Sequence, residues 1–213
     1  MFRRVTFGFF LLILSLCFNS AAVADIALPP PQTEGGMGLF EALKKRSSVP
    51  GGDFSPAEVK LEDLSTVLWA ATGLNRGQKG WTVPMSKGQP PYCRIYVAGS
   101  EGIWLYDWAG HTLKEVSKEN IKNKIAAQSF VKRAFYVLII VSDSEALSFF
   151  NDEKAADEFS QVLTGAMTQN VYLAAAALKL GTRYIHSIDR EAIKASLKLP
   201  KGDEPICLML LGK

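Results

Sequence analysis

Residues 134–142 read Ala134-Phe135-Tyr136-Val137-Leu138-Ile139-Ile140-Val141-Ser142, an apolar run with almost no polar break. A continuous stretch of that length, rich in β-branched residues, fits a strand covered on both faces. A sheet with such a strand at its centre needs a packed layer above it and another below. Working outward, Pro205–Leu211 gives a second buried strand. Tyr92–Ala98 and Ile103–Trp108 alternate around Gly99-Ser100-Glu101-Gly102, the pattern of a hairpin, and Leu113–Val116 forms a short third strand. Between the two apolar runs lies the longest helical pattern, Glu153–Leu180. There Phe159, Val162, Leu163, Ala166, Met167, Asn170, Val171, Leu173, Ala174 and Ala177 recur at helical spacing, and Gly181 ends it. Its small-residue stretch Ala174–Ala177 predicts burial on most sides.

The remaining elements are shorter. Leu39–Arg46 reads as a short helix with a basic end, and Leu61–Thr72 as a longer one stopped by Gly73. Tyr184-Ile185 is a short strand, and Arg190–Leu197 a helix opened by Asp189. Ser47–Pro56 and Asn75–Pro91 are loops punctuated by Gly and Pro. Without internal repeats, this mixture predicts an α+β fold of three layers in one domain.

The first 24 residues are of another kind. Arg3-Arg4, an apolar run Phe7–Phe18 and Ala22-Val23-Ala24 before Asp25 are the three parts of a secretory signal peptide. The run is too short for a membrane span, which takes about 20 apolar residues, so no stable anchor is expected after cleavage. The chain therefore divides into a signal peptide at 1–24, a Pro/Gly-rich linker or arm at 25–38 with no core of its own, and a domain at 39–213. Export to a periplasmic or secreted location follows. Cleavage also changes the charge: the full chain carries +3, but without Arg3 and Arg4 there remain 22 Lys and Arg against 21 Asp and Glu, or +1. That balance excludes a nucleic-acid partner. With 48% hydrophobic residues the chain is not disordered. No CxxC, HExxH or EF-hand spacing occurs, so no metal is expected. After cleavage Cys93 and Cys207 are the remaining thiols, read here as buried and free rather than bridged.

No G-x-S-x-G, Walker loop or G-x-G-x-x-G is present. His111 reads as a solvated turn residue. What remains is a set of polar islands at element ends. Lys45-Arg46-Ser47-Ser48 places cations and hydroxyls where a helix enters a loop, which is the combination a phosphate dianion selects; a basic helix C-terminus favoured by the macrodipole would look the same. Asn75, after the Gly73 stop, offers an amide to the edge of a heterocycle, or simply forms a turn. Gln169-Asn170 lies mid-helix in apolar company, where amides need partners.

Taken in order, Leu43-Lys44-Lys45-Arg46-Ser47-Ser48, Leu68-Trp69-Ala70-Ala71-Thr72-Gly73-Leu74-Asn75-Arg76, Thr82-Val83-Pro84, Gly102–Asp107, Thr168–Ala175, Leu180-Gly181-Thr182 and the ending Leu208–Lys213 resemble the nitroreductase family, most closely its branch of azoline-oxidising dehydrogenases. The resemblance implies a three-layer fold with a central mixed or antiparallel sheet flanked by helices. It further implies a homodimer that binds FMN between subunits and passes electrons by a ping-pong cycle; with the signal segment, this reads as an exported FMN-dependent oxidoreductase acting on a small molecule or peptide. By position, Lys45, Arg46 and Ser47 would hold the FMN phosphate and ribityl chain, helped by Lys213. Asn75 would reach the pyrimidine edge, and Ile185, His186 and Ser187 would pass the flavin face. No catalytic acid or base is implied. The chain departs from the family pattern at Val49, Trp81, Met85, His186 and Lys179, the last standing where a Gly is expected. Those departures support a rival reading, a binding or scaffold protein that keeps the fold without flavin turnover.

Overall fold

The computed structural model describes residues 25–55, 57–85 and 89–213; the signal segment expected at 1–24 lies outside the described residues. The apolar run becomes strand β7 (Tyr136–Ser142), paired on one side with β4 (Cys93–Ala98) and on the other with β9 (Glu204–Gly212). The sheet extends through β5 (Ile103–Asp107), β6 (Thr112–Ser117) and β1 (Ile26–Ala27) at one edge and ends at β8 (Gly181–Ile185) at the other. The order is β1-β6-β5-β4-β7-β9-β8, and each pairing is antiparallel.

The period-2 alternation of β7 sorts its side chains into two cores. Leu138 and Ile140 pack with α2 (Leu61–Thr72) and α3 (Glu153–Ala177), meeting Leu68, Leu163 and Met167. Val137, Ile139 and Val141 face the opposite layer, where α4 (Arg190–Leu197) contributes Ile193 and Leu197 beside Phe54, Ile121 and Val131. Burial on both sides is why the strand carries no polar position until Ser142. A register shift between Ile140 and Val141 lets two consecutive residues of β9, Ile206 and Cys207, enter the same core. Helices on both faces of an antiparallel sheet make the three-layer α+β fold. Cys93 and Cys207 are buried free thiols, and burial pushes the Cys93 thiol up to about 12.

Local chemistry sets the helix ends. Asp152 and Asp189 cap α3 and α4 by accepting from Lys154 N and Ala192 N. Helix α3 stops at Ala177, three residues before the predicted end. Lys179 takes φ 59°, Lys179 N donates to Ala176 O, and Leu180 N donates to Ala175 O. This is a Schellman closure, and it needs a left-handed residue at position 179 rather than Gly181, which opens β8.

Three expectations need correction, and the arm at 25–38, read as having no core of its own, docks on the sheet: Ile26 and Ala27 pair with Leu113 and Thr112, and Leu28 is buried. Two residues are too few for any periodicity to betray them. The loop from Asn75 contains a hairpin of β2 (Leu74–Arg76) and β3 (Gly80–Trp81), and Trp81 is buried edge-on to Trp108. Helix α3 is not covered on most sides; Val162, Gly165 and Gln169 form an exposed stripe, and Val162 is 67% exposed. His111 is no solvated turn residue: Ser65 Oγ lies 2.7 Å from its Nε2 and Tyr106 Oη 3.0 Å from its Nδ1. Among the described residues no helix is long and apolar enough to cross a membrane.

Candidate functional site

The edge strand β8 organises the residues singled out in the sequence. At its start, the segment leaving α1 (Leu39–Lys45) runs alongside it: Val49 N donates to Thr182 O at 3.0 Å, and Arg183 Nη1 donates to Val49 O at 2.8 Å. Val49 thus serves as a packed strut, with Cγ2 within 2.9 Å of where a Cβ on Gly181 would stand. This strut fixes the positions of Arg46, Ser47 and Ser48. The Arg46 guanidinium lies 5.2 Å above the Tyr172 ring, and Ser48 Oγ is 2.7 Å from Tyr172 Oη. That phenol already accepts from Tyr184 N at 2.9 Å. Either hydroxyl can donate in the Ser48–Tyr172 bond, since the phenol oxygen has a second lone pair.

Lys45 and Ser47 are exposed, and Lys45 forms an i,i+4 ion pair with Glu41 at 2.8 Å. A pair at this exposure is weak and leaves the ammonium available to another anion. Lys213 ends the chain nearby: its carbonyl accepts from Ser55 N, and Gly212 pairs with Gly181. The fold therefore holds Arg46 and Ser48 against Tyr172 and the strut at Val49 against β8, with Lys45 and Ser47 on the same segment and the Lys213 backbone beside the pairing of Gly212 with Gly181.

At the other end of β8, Ile185 is buried opposite Leu208 and offers only its backbone. His186 and Ser187 are exposed, and the His186 ring stacks at 6.4 Å on Tyr184. The chain then meets the other layer: Ile188 bridges to Ala126, and Asp189 N donates to Ile125 O. Two residues beyond Ala126 stands Gln128, whose Oε1 is buried without a hydrogen-bond partner. An acceptor in that state costs about 1–3 kcal/mol unless a donor arrives. Sequence reasoning passed over Gln128. The available signal was an amide embedded in Ile125-Ala126-Ala127-Gln128-Ser129-Phe130, otherwise apolar and small.

Asn75 is not brought into this group. It lies on the β2–β3 hairpin with an exposed side chain that forms no hydrogen bond among the described residues. Asn170 is a structural staple, its amide donating to Ala70 O at 2.9 Å and Thr82 O at 3.2 Å. Strand β8 ends at Ile185, and Ile188 N donates to His186 O at 2.9 Å, which turns the chain away. The cationic, hydroxyl-bearing start of β8 has the chemistry that suits a phosphate.

Known proteins resemble this chain in sequence and fold. A model described as "Nitroreductase family" matches residues 43–213. A protein of Methanocaldococcus jannaschii carrying a provisional nitroreductase name is 28% identical over 184 residues, 82% of this chain and 90% of its own. A crystal structure from Ralstonia eutropha, of a protein with the same provisional name, superposes with a TM-score of 0.82 at 30% identity, covering 89% of each chain. The E. coli microcin synthetase McbBCD complex with truncated pro-MccB17 gives a TM-score of 0.68 at 14% identity, covering 98% of this chain and 84% of that one, and so shares the fold.

Proposed function

The chain belongs to the nitroreductase family, a family of oxidoreductases, and from that premise we propose that it is an exported FMN-dependent oxidoreductase acting on a small molecule or peptide. The observation that carries the reading is the run Arg46-Ser47-Ser48, braced on β8 through Val49, with the Arg46 guanidinium over the Tyr172 ring. Asn75, whose exposed amide forms no hydrogen bond among the described residues, would keep the heterocycle-edge role that the resemblance gives it. Arg46 would grip the phosphate with its planar fork, Ser47 and Ser48 would donate to it, and Lys45 and Lys213 would add charge. The backbone at Ile185, His186 and Ser187 would line the ring. The bound flavin would supply the redox chemistry, in a ping-pong cycle, and this chain would supply position and electrostatics.

A homodimer completes the reading. The exposed Val162 of α3 and the exposed Phe40 and Leu43 of α1 are apolar surface on neighbouring helices, and a second copy would cover both. Export rests on the signal pattern at 1–24.

The test is a visible spectrum of the purified protein after incubation with micromolar FMN. Flavin bands that bleach with dithionite and return in air support the enzyme. Arg46→Ala should release FMN while leaving the melting temperature within about 1–2 °C, as expected for a surface substitution. Equal FMN retention would overturn the phosphate assignment. A second reading, a binding protein without flavin turnover, is favoured by Val49, an apolar strut where the family pattern has a basic residue; a protein that stays colourless at micromolar FMN would establish it.

A further inference from the structure

The arm lies outside the matched segment 43–213, yet it does more than add an edge strand. Its first half is pinned. Asp25 pairs with Lys114 at 2.8 Å, Ser65 Oγ donates to Pro29 O, and Gln32 N donates to Thr66 Oγ1 at 3.0 Å. Its second half, 33–38, is held less: Gln32 Nε2 donates to Glu34 O, and Gly38 O accepts from Ala42 N at 2.9 Å as α1 begins. Gly35 and Gly36, at φ 70° and 77°, then turn it into α1. Both values lie in the left-handed region that glycine adopts freely.

This half forms one wall of a cavity of about 380 Å³, whose remaining walls come from α1, α2 and α3, including Trp69, Leu173, Ala174 and Ala177. The side-chain donors of those helix walls are already committed. Asn170 holds Ala70 O and Thr82 O, Thr82 Oγ1 donates to Trp69 O, and Trp69 Nε1 donates to Leu74 O. None of the buried unpartnered side-chain atoms among the described residues belongs to this cavity. An occupant that brings acceptors therefore finds no free donor on the helix walls and gains mainly by apolar contact. Glu34, exposed at the rim, is the only ionisable residue of the lining, so an anion is disfavoured.

We propose that this cavity binds a neutral, flat, apolar molecule of one or two rings, and that residues 33–38 are its lid. The site goes beyond the flavin reading and uses none of the residues around β8.

The experiment needs no flavin, so its outcome and that of the flavin reading are separable. N-phenyl-1-naphthylamine, a neutral probe, is titrated into the purified protein, in parallel with the anionic 1-anilinonaphthalene-8-sulfonate. Saturable binding of the neutral probe is expected, about tenfold or more tighter than that of the anion, with emission sensitised by Trp69 and reduced in Trp69→Phe. Ala177→Phe should weaken binding of the neutral probe about tenfold by filling the cavity. Glu34→Gln, at an exposed position that cannot unfold the protein, should narrow the gap between the two probes. Gly35→Pro, whose φ is held near −65°, should change the association rate. Equal affinity for both probes, no effect of Ala177→Phe in a folded protein, no effect of Glu34→Gln, an association rate unmoved in Gly35→Pro, or no saturable binding would overturn the proposal.

Discussion

Strands β7 and β1 belong to one sheet, yet they are held in place by different physics. β7 is seven residues long, buried on both faces, and paired along its whole length with β4 and β9. β1 is two residues at the sheet edge, half-buried to exposed, and its position depends on side chains from elsewhere. The first is an element that local sequence dictates; the second exists because tertiary contacts select it. An apolar strand loses most when its packing is damaged, whereas a docked arm loses most when a single polar anchor is removed.

The largest effect should therefore come from β7. Ile139→Ala removes a fully buried side chain between Val137 and Val141, and should lower global stability by about 2–5 kcal/mol. Urea unfolding reads this as a shift of the midpoint at unchanged slope. A loss under 1 kcal/mol would mean that the centre of the sheet is not the stabilising element it looks to be.

The anchor of the arm should give a smaller and local effect. Ser65 is fully buried on α2 and donates to Pro29 O while meeting His111 Nε2. Ser65→Ala leaves both partners underused, at a cost of about 1–3 kcal/mol. Hydrogen exchange should speed up at Leu28 and Gln32, and the amides of β7 should keep their protection. Uniform acceleration across the sheet would break the distinction between the two strands.

Acidification tests the same anchor without mutation. Burial holds His111 below its ordinary value of 6.5, the Pro29 carbonyl opposing that shift. The groups facing it are Ser65 from α2, Tyr106 from β5 and the Pro29 carbonyl from the arm; Asp107 of the same turn is occupied by Ala109 N and Gly110 N. A depressed value in the docked state means that docking favours the neutral ring. Its full contribution is present above about pH 6.5 and is lost as the pH falls through the lower, folded value. Proteolysis within 25–38 should accelerate over that window in the wild type and become flat in His111→Gln. The change should again leave β7 untouched.

How far the sequence could be read follows the same division. β4, β5, β6, β7, β9, α2 and α4 were legible because each carries its own period of apolar residues or its own cap, as Asp189 does for α4. Helix α3 was misread because the small-residue run Ala174 to Ala177, which is indeed half-buried or buried, was extended to the whole helix, whereas Val162, Gly165 and Gln169 upstream face outward. Within the candidate site, Arg46, Ser47 and Ser48 were legible from their chemistry. Gln128 was not, because its meaning lies in a bridge between Ala126 and Ile188 that joins positions far apart in the chain. His111 failed for a similar reason: a Gly-His pair in a turn gives no hint of a buried serine 46 positions upstream.

Lys179 offers the smallest effect and the finest test of local against tertiary control. The sequence marked it as a departure, a lysine where the family pattern has glycine, and the Schellman closure of α3 shows what that position demands. A side chain at φ 59° crowds its own backbone at a cost of about 1–2 kcal/mol, part of which glycine returns as freedom of the unfolded chain. Lys179→Gly should therefore stabilise the fold by roughly 0.5–1 kcal/mol, read as a higher urea midpoint. The Lys179 side chain is exposed, so no packing is lost in exchange. A destabilised variant would mean that Lys179 makes a contact worth more than its strain, and that even this backbone-dictated position is under tertiary control like the arm.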